Sequence, residues 1–474
     1  MTAQSGAAAM AVPEESRRLN VYLLEARDPY AALGAYPFVD GTIRPALEEI
    51  VLATPRLKLI FAAAAYTSPD LLDRISMDAR RALQLRLAKN PAAPPKALAR
   101  LLEDDACERI RRYVAMHPRC DRTTMSKLAD NTSINVRRAV AGNPNATASV
   151  LAKLVAEGDG QIDRNAASGP FADRDTLQAL WDKGDRQVRA EIAAHPNCPE
   201  DLLERAEATA DKLILRKLAS NPALDSSVLT RLTADDDERV RVAAVRNIAV
   251  AGDLVEESGY EPSPKVRRIF ARCRRLASGA VTRLAADPDS WVRCWIARNP
   301  AVPGDILHCL AIDAVMEVRR SVGRNPACPA SLQIALAGDP APWVRAGVAM
   351  REDAPEAAIK QLLDDRHPDV LSALGRNPRT PAASLDAIAH HADKDVRRSV
   401  AFNQSAFAPL AAHLAEDPYP LNRVIAAGHS NLALAWVWRL LDDPEPQVRF
   451  VAAARLARQW NPQGRAPAAS ALKL

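Results

Sequence analysis

Apolar positions recur along the chain in a pattern that repeats every 26 residues. Each copy has a valine or similar residue seven positions before a fixed point, which is usually an asparagine followed by proline. The stretches VRCWIARNP (292–300) and VRRSVGRNP (318–326) show it clearly. Apolar residues at i, i+4 and i+5 lie on one face of a helix, and the residue before proline is pushed out of the α region. The pattern therefore predicts a short helix that ends at the asparagine.

The fixed point, which we name the asparagine position, can be followed through sixteen copies. Neighbouring copies are 26 residues apart, except for one step of 27 residues. A regular period of this length is the signature of a repeat architecture. The asparagine position is occupied by Ala64, Asn90, His117, Asn143, Gly169, His195, Asn221, Asn247, Cys273, Asn299, Asn325, Arg351, Asn377, Asn403, His429 and Arg455.

A second short helix is predicted after each asparagine position. Proline often stands four residues after that position, and it suits a first helical turn, where its missing N–H is not needed. Leu307 and Leu310 illustrate the apolar face of this helix, and acidic turns such as DPDS (287–290) can cap the next helix. Helices of about ten residues are unstable alone, so each copy must bury its apolar side against its neighbours. The sequence predicts an all-α superhelical solenoid of about sixteen two-helix repeats over residues 57–460.

The segments outside the repeats have their own predictions. Residues 1–17 are rich in alanine and serine and are expected to be disordered, and residues 461–474 are expected to form a flexible tail. Residues 18–56 contain apolar helical runs, which we interpret as an N-terminal cap over the open end of the first repeat. A small docking module is the alternative. Residues 248–264 keep the spacing but lose the consensus, as a kink or an exposed loop would.

The unit V-R-x-x-V-A-x-N-P-x-x-P-x-x-x-L-x-x-L-A-x-D resembles the leucine-rich repeat variant family, and HEAT-like repeats are similar in appearance. The resemblance covers residues 57–460. It implies pairs of short helices, one α and one often 3₁₀, stacked in a right-handed superhelix. Some members of the family bind an iron–sulphur centre through an N-terminal cysteine cluster. The first cysteine here is Cys107, so the resemblance implies no iron–sulphur function for this chain.

Composition narrows the function classes. The net charge of +5 comes from 63 basic and 58 acidic residues, which does not by itself favour a nucleic acid or a membrane. Seven scattered cysteines without a CxxC pair indicate free thiols in a reducing compartment. No run of 18 apolar residues and no signal-peptide pattern occur. We therefore expect a cytoplasmic protein.

Catalytic and metal-binding motifs are absent from the sequence. It contains no P-loop, no GxGxxG between a strand and a helix, no HExxH and no GxSxG. His367 and the pair His390-His391 lack the spacing of metal ligands, and the cysteines at 120, 198 and 328 are too far apart to share a metal. The prediction is a protein without enzyme activity, cofactor or metal site.

Most copies carry an arginine six residues before the asparagine position, often with an acid six residues earlier. Because the pair recurs throughout the array, we interpret it as a structural ladder. In this ladder Asp–Arg pairs and arginine-capped carbonyls would join neighbouring copies. The ladder residues are Arg137, Arg241, Arg293, Arg319, Asp235, Asp287 and Asp313.

A second arginine column directly precedes the asparagine position in the C-terminal half. Met350 interrupts it, and Trp291, Trp295 and Trp343 lie in the same stretch. Equivalent positions of a solenoid line up along one surface, so this column predicts a basic stripe that could bind phosphates or an acidic partner. A solvated charged face without function is the alternative. The basic stripe consists of Arg246, Arg272, Arg298, Arg324 and Arg376.

Three functions remain open from the sequence. The leading hypothesis is a non-enzymatic scaffold or adaptor that binds a protein or peptide partner along an extended solenoid surface. The alternative is a nucleic-acid-binding solenoid that uses the stripe around residues 246–376. A HEAT-like DNA-repair enzyme is the third, and it would need an aromatic pocket with a carboxylate. The sequence indicates neither the oligomeric state nor the identity of a partner.

Overall fold

The computed structural model has helical regular structure throughout its described part, and the predicted all-α solenoid is confirmed. None of the described helices is both long enough and apolar enough to cross a membrane. The chain divides into two compact units, one of residues 1–119 with 389–474 and one of residues 120–388. The structure describes residues 14–25, 28–39, 41, 43–103, 106–170, 172–251, 261–403, 405 and 408–460.

Each copy of the repeat begins with an A helix, and most copies continue with a B helix. Most A helices end within three residues before the asparagine position, as predicted, but α18 (Glu238–Ala251) and α33 (Pro446–Trp460) continue past Asn247 and Arg455. Within the described residues no B helix follows these two helices. The A helices are α4 (Pro55–Ala63), α6 (Arg81–Leu87), α8 (Glu108–Met116), α10 (Ile134–Ala141), α12 (Gly160–Ser168), α14 (Arg186–Ala193), α16 (Lys212–Leu218), α18 (Glu238–Ala251), α19 (Pro264–Phe270), α21 (Ser290–Arg298), α23 (Met316–Gly323), α25 (Pro342–Ala349), α27 (Pro368–Arg376), α29 (Lys394–Ala401), α31 (Pro420–Gly428) and α33 (Pro446–Trp460). The B helices are α5 (Pro69–Ile75), α7 (Pro95–Arg100), α9 (Arg122–Ala129), α11 (Ala148–Val155), α13 (Arg174–Lys183), α15 (Glu200–Glu207), α17 (Ser226–Leu232), α20 (Ser278–Ala285), α22 (Gly304–Leu310), α24 (Ala330–Ala337), α26 (Glu356–Leu362), α28 (Ala382–Ala389), α30 (Ala408–Ala415) and α32 (Leu434–Arg439).

Three helices precede the repeats: α1 (Glu14–Glu25), α2 (Pro29–Ala35), which continues into a 3₁₀ turn (Tyr36–Phe38), and α3 (Arg44–Ala53). A second 3₁₀ turn, Leu440–Asp442, follows α32. Helix α1 begins four residues before the predicted start of the cap at residue 18, so residues 14–17 are helical. The remainder of the predicted disordered terminus, the tail 461–474 and most of the degenerate stretch 248–264 lie outside the described residues.

The local sequence explains how a single copy folds. The carboxylate of Asp289 caps α21 by accepting the backbone N–H of Val292 at 3.0 Å. Val292 and Ile296 are fully buried on the inner side of this helix, and Leu307 is fully buried in the following B helix. Removing such side chains from water supplies the favourable free energy that the short helices lack alone.

The asparagine position joins each copy to the preceding one. The side chain of Asn325 is fully buried, and its Nδ2 donates to the carbonyls of Ala297 at 2.8 Å and Asn299 at 2.9 Å. Its Oδ1 accepts the backbone N–H of Ala327 at 2.7 Å. One amide thereby satisfies main-chain groups on both sides of the boundary. The paired donation is repeated by Asn90, Asn221, Asn247, Asn299 and Asn377.

Histidine replaces asparagine with one donated bond fewer. In His195, Nδ1 accepts the backbone N–H of Asn197 at 3.0 Å, so Nε2 carries the proton and donates to the Gly169 carbonyl at 3.0 Å. His117 and His429 repeat the arrangement. Burial lowers the pKa of His117, which favours the neutral ring that this role requires. The histidine copies thus keep the accepted bond and one of the two donated bonds of the asparagine copies.

The last A helix has no B helix after it within the described residues, and α1 occupies that place. Helix α1 packs against α33 and α3. The hydroxyl of Tyr22 donates to the Leu441 carbonyl at 3.0 Å, and the Arg18 guanidinium lies 4.5 Å from the ring centroid of Trp438 in α32. One copy of the repeat is therefore assembled from both ends of the chain.

Helix α2 stacks on α33 as a further A helix. Asp28 forms an ion pair with Arg449, and its Oδ1 caps α2 by accepting the backbone N–H groups of Tyr30 and Ala31 at 2.8 and 3.1 Å. Helix α2 also packs against α4, so residues 28–53 lie between the last and the first copies. The interpretation of residues 18–56 as a cap over the first repeat stays a prediction, to which the structure adds the contact with α33.

The buried amide at the asparagine position should be essential for stability. We expect Asn325→Ala to cost about 2–3 kcal/mol, because two buried carbonyls lose their donor. Asn325→His should cost less, about 1 kcal/mol, because the ring can keep the accepted bond and one of the two donated bonds. Urea unfolding followed by circular dichroism measures both changes. The exposed Asn197→Ala is the control and should lie within about 0.5 kcal/mol of the parent; equal losses at 197 and 325 would contradict the role of the amide.

The contact between α2 and α33 should tolerate no side chain at Gly34. A Cβ at this position would lie 2.2 Å from the carbonyl oxygen of Phe450, so Gly34→Ala must separate the two helices. We expect faster amide hydrogen exchange in α33 and a loss of about 1–3 kcal/mol. Gly41→Ala is the matched control, since no atom lies within 4 Å of its Cβ. Unchanged exchange in α33 for Gly34→Ala would show that this contact does not hold α33.

Candidate binding surface

Arginines six residues before the asparagine position form a ladder between copies. In Arg293, Nε and Nη2 donate to the carboxylate of Asp313, twenty residues ahead, at 2.6 and 3.1 Å. Its Nη1 donates to the carbonyls of Asp287 and Pro288 in its own copy at 2.7 and 3.3 Å. Forked pairs of this kind are strong charge-assisted hydrogen bonds. The same fork joins Arg241 to Glu261, Arg267 to Asp287, Arg319 to Asp339, Arg345 to Asp365, Arg397 to Asp417 and Arg423 to Asp443.

Most acids of the ladder accept hydrogen bonds from two arginines, and Asp287 is an example. The carboxylate of Asp287 accepts from Arg267 at 2.6 and 2.9 Å, while its main-chain carbonyl accepts from Arg293. Burial alone would raise the pKa of Asp313, but the hydrogen bonds from Arg293 and from the backbone N–H of Val315 outweigh it, and the pKa is lowered. The acid stays ionised, so the charge of the ladder arginine is neutralised locally.

Two predicted ladder residues differ from this pattern. Arg137 reaches its acid, Glu157, through Nε alone at 2.9 Å, while its Nη1 donates to the carbonyls of Asn131 and Thr132 as in the other copies. The carboxylate of Asp235 accepts from Lys212 Nζ at 2.9 and 3.0 Å, and its carbonyl accepts from Arg241 at 2.9 Å. The acid six residues before a ladder arginine thus offers that arginine its carbonyl, whereas the carboxylate partner lies twenty residues ahead.

One rung of the ladder has the opposite polarity. Asp163 stands where other copies have the arginine, and Lys183, twenty residues ahead, stands where they have the acid. Lys183 Nζ lies 3.4 Å from Asp163 Oδ1 and also donates to the carbonyl of Val155. Burial raises the pKa of Asp163, and the charge of Lys183 opposes that shift. The rung therefore keeps a charge pair with its signs exchanged.

The basic stripe lies on or directly after the A helices and is not part of the ladder. Met350 interrupts it and is 49% exposed. Arg246, Arg272 and Arg298 are exposed and form no ion pair within the described part of the chain, in contrast to the ladder arginines. The five members are Arg246 of α18, Arg272 after α19, Arg298 of α21, Arg324 after α23 and Arg376 of α27.

Aromatic and sulphur groups hold the middle of the stripe. The guanidinium carbons of Arg272 and Arg298 lie 4.6 and 5.8 Å from the ring centroid of the half-buried Trp295. Both distances are in the range of cation–π interactions. Arg324 Nη2 lies 3.3 Å from the sulphur of Met350. Burial and the charges of neighbouring arginines lower the pKa of Arg324. These stripe arginines thus contact an aromatic ring and a thioether, which are uncharged.

Arg320 adds a cation that the sequence analysis did not single out. Its guanidinium carbon lies 5.5 Å from the ring centroid of Trp343, and its buried Nε has no hydrogen-bond partner among the described residues. At the equivalent position Arg268 pairs with Asp289, 21 residues ahead, at 2.7 Å. The corresponding residue for Arg320 is Ala341. That missing acid is a sequence signal that could have identified Arg320.

A groove lies at the N-terminal end of the stripe, over α16, α18 and the start of α19. Its volume is about 790 Å³, and the apolar residues Pro222, Val242 and Ala243 contribute to its lining. Glu238 is the acidic residue of the lining. The basic lining residues are Arg216, Lys217, Arg239, Arg246 and Lys265.

Two of the five groove cations are already paired. Lys217 forms a salt bridge with Glu191 at 2.9 Å, and Lys265 forms one with Glu238 at 2.8 Å. The other three, Arg216, Arg239 and Arg246, form no ion pair with any described residue. Of these three, only Arg246 was predicted from the sequence, as a member of the basic stripe. The spacing of Arg216 and Arg239 in the sequence does not distinguish them from arginines that form ion pairs.

The histidines and cysteines noted in the sequence take structural positions. Burial raises the pKa of Cys120 and Cys198 to about 12, which makes both thiols unreactive at neutral pH. The His390 ring stacks on His413 with centroids 4.0 Å apart, and His367 lies on the surface beside Asp369. Over the described ranges, no three His, Cys, Asp or Glu side chains form a group that could hold a metal ion.

The inverted rung gives a test of the ladder. We expect Lys183→Glu to cost about 2 kcal/mol, because the buried Asp163 then faces a like charge. The double change Asp163→Arg with Lys183→Asp should recover stability to within about 1 kcal/mol of the parent, because it restores the usual polarity. Arg174→Glu, which breaks an exposed pair with Asp201, should change stability by less than about 0.5 kcal/mol. Urea unfolding compares the variants, and no recovery in the double variant would contradict the ladder.

Comparison with known proteins adds little beyond the fold. No family model matches the sequence, and no curated protein is significantly similar to it. Among solved structures, one of Kap95p binding to RanGDP is 12% identical over 91% of this chain and 66% of that chain, with a TM-score of 0.30. Importin beta is 13% identical over 95% of this chain and 68% of its own, with a TM-score of 0.27.

UNC-45 from Drosophila melanogaster is 10% identical over 95% of this chain and 76% of its own, with a TM-score of 0.21. These structures are helical solenoids of the HEAT or armadillo type. At such low identities and TM-scores, no partner or activity passes from them to this chain. The chain is an α-solenoid of paired short helices, as its own helices show.

Proposed function

We propose that this chain is a non-enzymatic scaffold that binds a protein or peptide partner along the A-helix face of residues 238–376. The observation that carries the proposal is the contrast between the two arginine columns. Arg293 and its ladder equivalents are neutralised by acids of the next copy, whereas Arg246, Arg272 and Arg298 are exposed without an ion pair in the described structure. Exposed arginine beside tryptophan is the composition of binding hot spots.

A protein partner fits this face better than a nucleic acid. The guanidinium groups of Arg272 and Arg298 lie against Trp295, so bases have reduced access to the ring for stacking. Glu317 is exposed and Asp369 is half-buried on the same A helices, and both would repel phosphates. A copy contributes at most one stripe arginine, a low density compared with the many phosphate contacts of nucleic-acid-binding proteins.

Nucleic-acid binding is the second candidate function, favoured by one observation. Trp291 is 55% exposed on α21, in the same copy as the unpaired Arg298, and could stack on a base. A DNA-repair activity lacks such support, because the groove over α16 and α18 has Glu238 but no aromatic lining residue. We assign no catalytic role to this chain.

Membership of the leucine-rich repeat variant family is also part of the proposal. Its support is the repeat consensus over residues 57–460 together with the paired short helices of each copy. The first cysteine at residue 107 sets this chain apart from members with an iron–sulphur centre. The free thiols favour a cytoplasmic location.

Charge reversal on the stripe tests the scaffold function. The tagged full chain is used to capture partners from its host's lysate, alongside the variant Arg272→Glu, Arg298→Glu, Arg324→Glu. The control variant changes Arg122, Lys127 and Arg366 to Glu, since these exposed cations form no ion pair among the described residues. We expect a partner that the parent and the control retain and the stripe variant loses by about tenfold or more.

Binding of labelled single-stranded DNA and RNA is measured with the same three proteins, at about 50 and 200 mM salt. Circular dichroism first checks that the three proteins have equal helicity. Submicromolar nucleic-acid binding that the stripe variant loses would replace the scaffold with the second candidate function. Failure to recover any partner specific to the intact stripe would contradict the proposal.

A further inference from the structure

We propose that the groove over α16, α18 and α19 binds an extended acidic peptide segment of the partner. In that segment each acidic residue would be followed by two residues with small apolar side chains. The inference rests on the proposed protein-binding function and names the class of ligand that this part of the surface recognises.

The charge of the groove is the first argument. Arg216, Arg239 and Arg246 line it from two neighbouring A helices, and none of them forms an ion pair with a described residue. An unpaired guanidinium keeps its full capacity for a forked pair with a carboxylate, the geometry that Arg293 and Asp313 show in the ladder. Three such groups at one groove suit a ligand with several carboxylates.

The apolar lining is the second argument. Val242 and Ala243 of α18 and Pro222 line the same groove as the cations. Small side chains of a peptide can be buried there at a gain of about 25 cal/mol for each Å² removed from water. A phosphodiester backbone has only polar and sugar atoms to place against this lining. The combination of cations and apolar surface therefore favours a peptide that is both acidic and apolar.

The repeat spacing sets the periodicity of the ligand. Packed helices lie about 8–10 Å apart, so Arg246, Arg272 and Arg298 are spaced by roughly that distance from one copy to the next. A peptide in the extended polyproline II conformation advances about 3.1 Å per residue with three residues per turn, so every third side chain lies on one face and three residues span the same distance. A peptide with an acid at every third position would therefore present one carboxylate to each copy, from the groove towards Trp295.

Fluorescence anisotropy with the full chain tests the inference. The probe is a fluorescein-labelled peptide of five Glu-Ala-Val triplets, compared with a peptide of the same composition whose glutamates are clustered and with a Lys-Ala-Val peptide. We expect the Glu-Ala-Val probe to bind at least about threefold tighter than the clustered peptide, and the lysine peptide not to bind. Its affinity should fall as salt rises from about 50 to about 200 mM.

Variants localise the binding to the groove. Changing Arg216, Arg239 and Arg246 together to Glu should weaken probe binding by about tenfold or more, and changing them to Gln should weaken it by a smaller factor. The control variant at Arg122, Lys127 and Arg366 has the same charge change and should stay within about twofold of the parent. Equal losses in the groove and control variants would overturn the inference, and so would equal affinity for the acidic and lysine peptides.

The outcomes separate this inference from the scaffold function. A captured partner that depends on Arg272, Arg298 and Arg324 but binds the groove variant normally would leave the scaffold standing and remove the groove as its peptide site. A single-stranded oligonucleotide that binds tighter than the Glu-Ala-Val probe, and loses affinity in the groove variant, would overturn the choice of a peptide ligand.

Discussion

A buried amide that crosses the boundary between copies is the interaction on which the rest of this protein depends. Asn325 donates to two carbonyls of the preceding copy and accepts an N–H of its own turn. One side-chain amide thus provides hydrogen-bond partners for three main-chain groups at the junction. Each buried carbonyl without a donor would cost about 1–3 kcal/mol, which helices of eight residues cannot supply. Because His195 keeps the acceptor and one of the two donations, the junction also accepts histidine at the same 26-residue offset.

The arginine ladder works on top of that register and decides which charges remain for binding. Arg293 reaches the acid of the next copy only because the copies are stacked at a constant offset. An arginine paired with an acid presents little net charge to a binding partner. An arginine that lies against Trp295 or in the groove keeps its charge available for binding. Structural and binding roles are thereby divided between two columns of the same residue type, and the division follows from the position of the nearest acid.

The N-terminal segment applies the same rules without the consensus. Asp28 serves Arg449 and caps its own helix at the same time, as the ladder acids do for their arginines and helices. Gly34 is required where α2 approaches the backbone of α33, because any side chain would meet the Phe450 carbonyl. The unit that contains both chain ends thus depends on a glycine and an acid, neither of which belongs to the repeat pattern.

The sequence by itself determined the helical repeat, its 26-residue period, most of the A-helix ends and the two arginine columns. These features depend on local periodicity and on proline, and both are visible in one dimension. Only the tertiary structure decided which charges are paired. Arg216 has Asp237 at the spacing that pairs other arginines with acids, yet it forms no ion pair among the described residues. Only the tertiary structure joins Asp28 to Arg449 across 421 residues, because no local signal relates groups that meet through the packing of the chain ends.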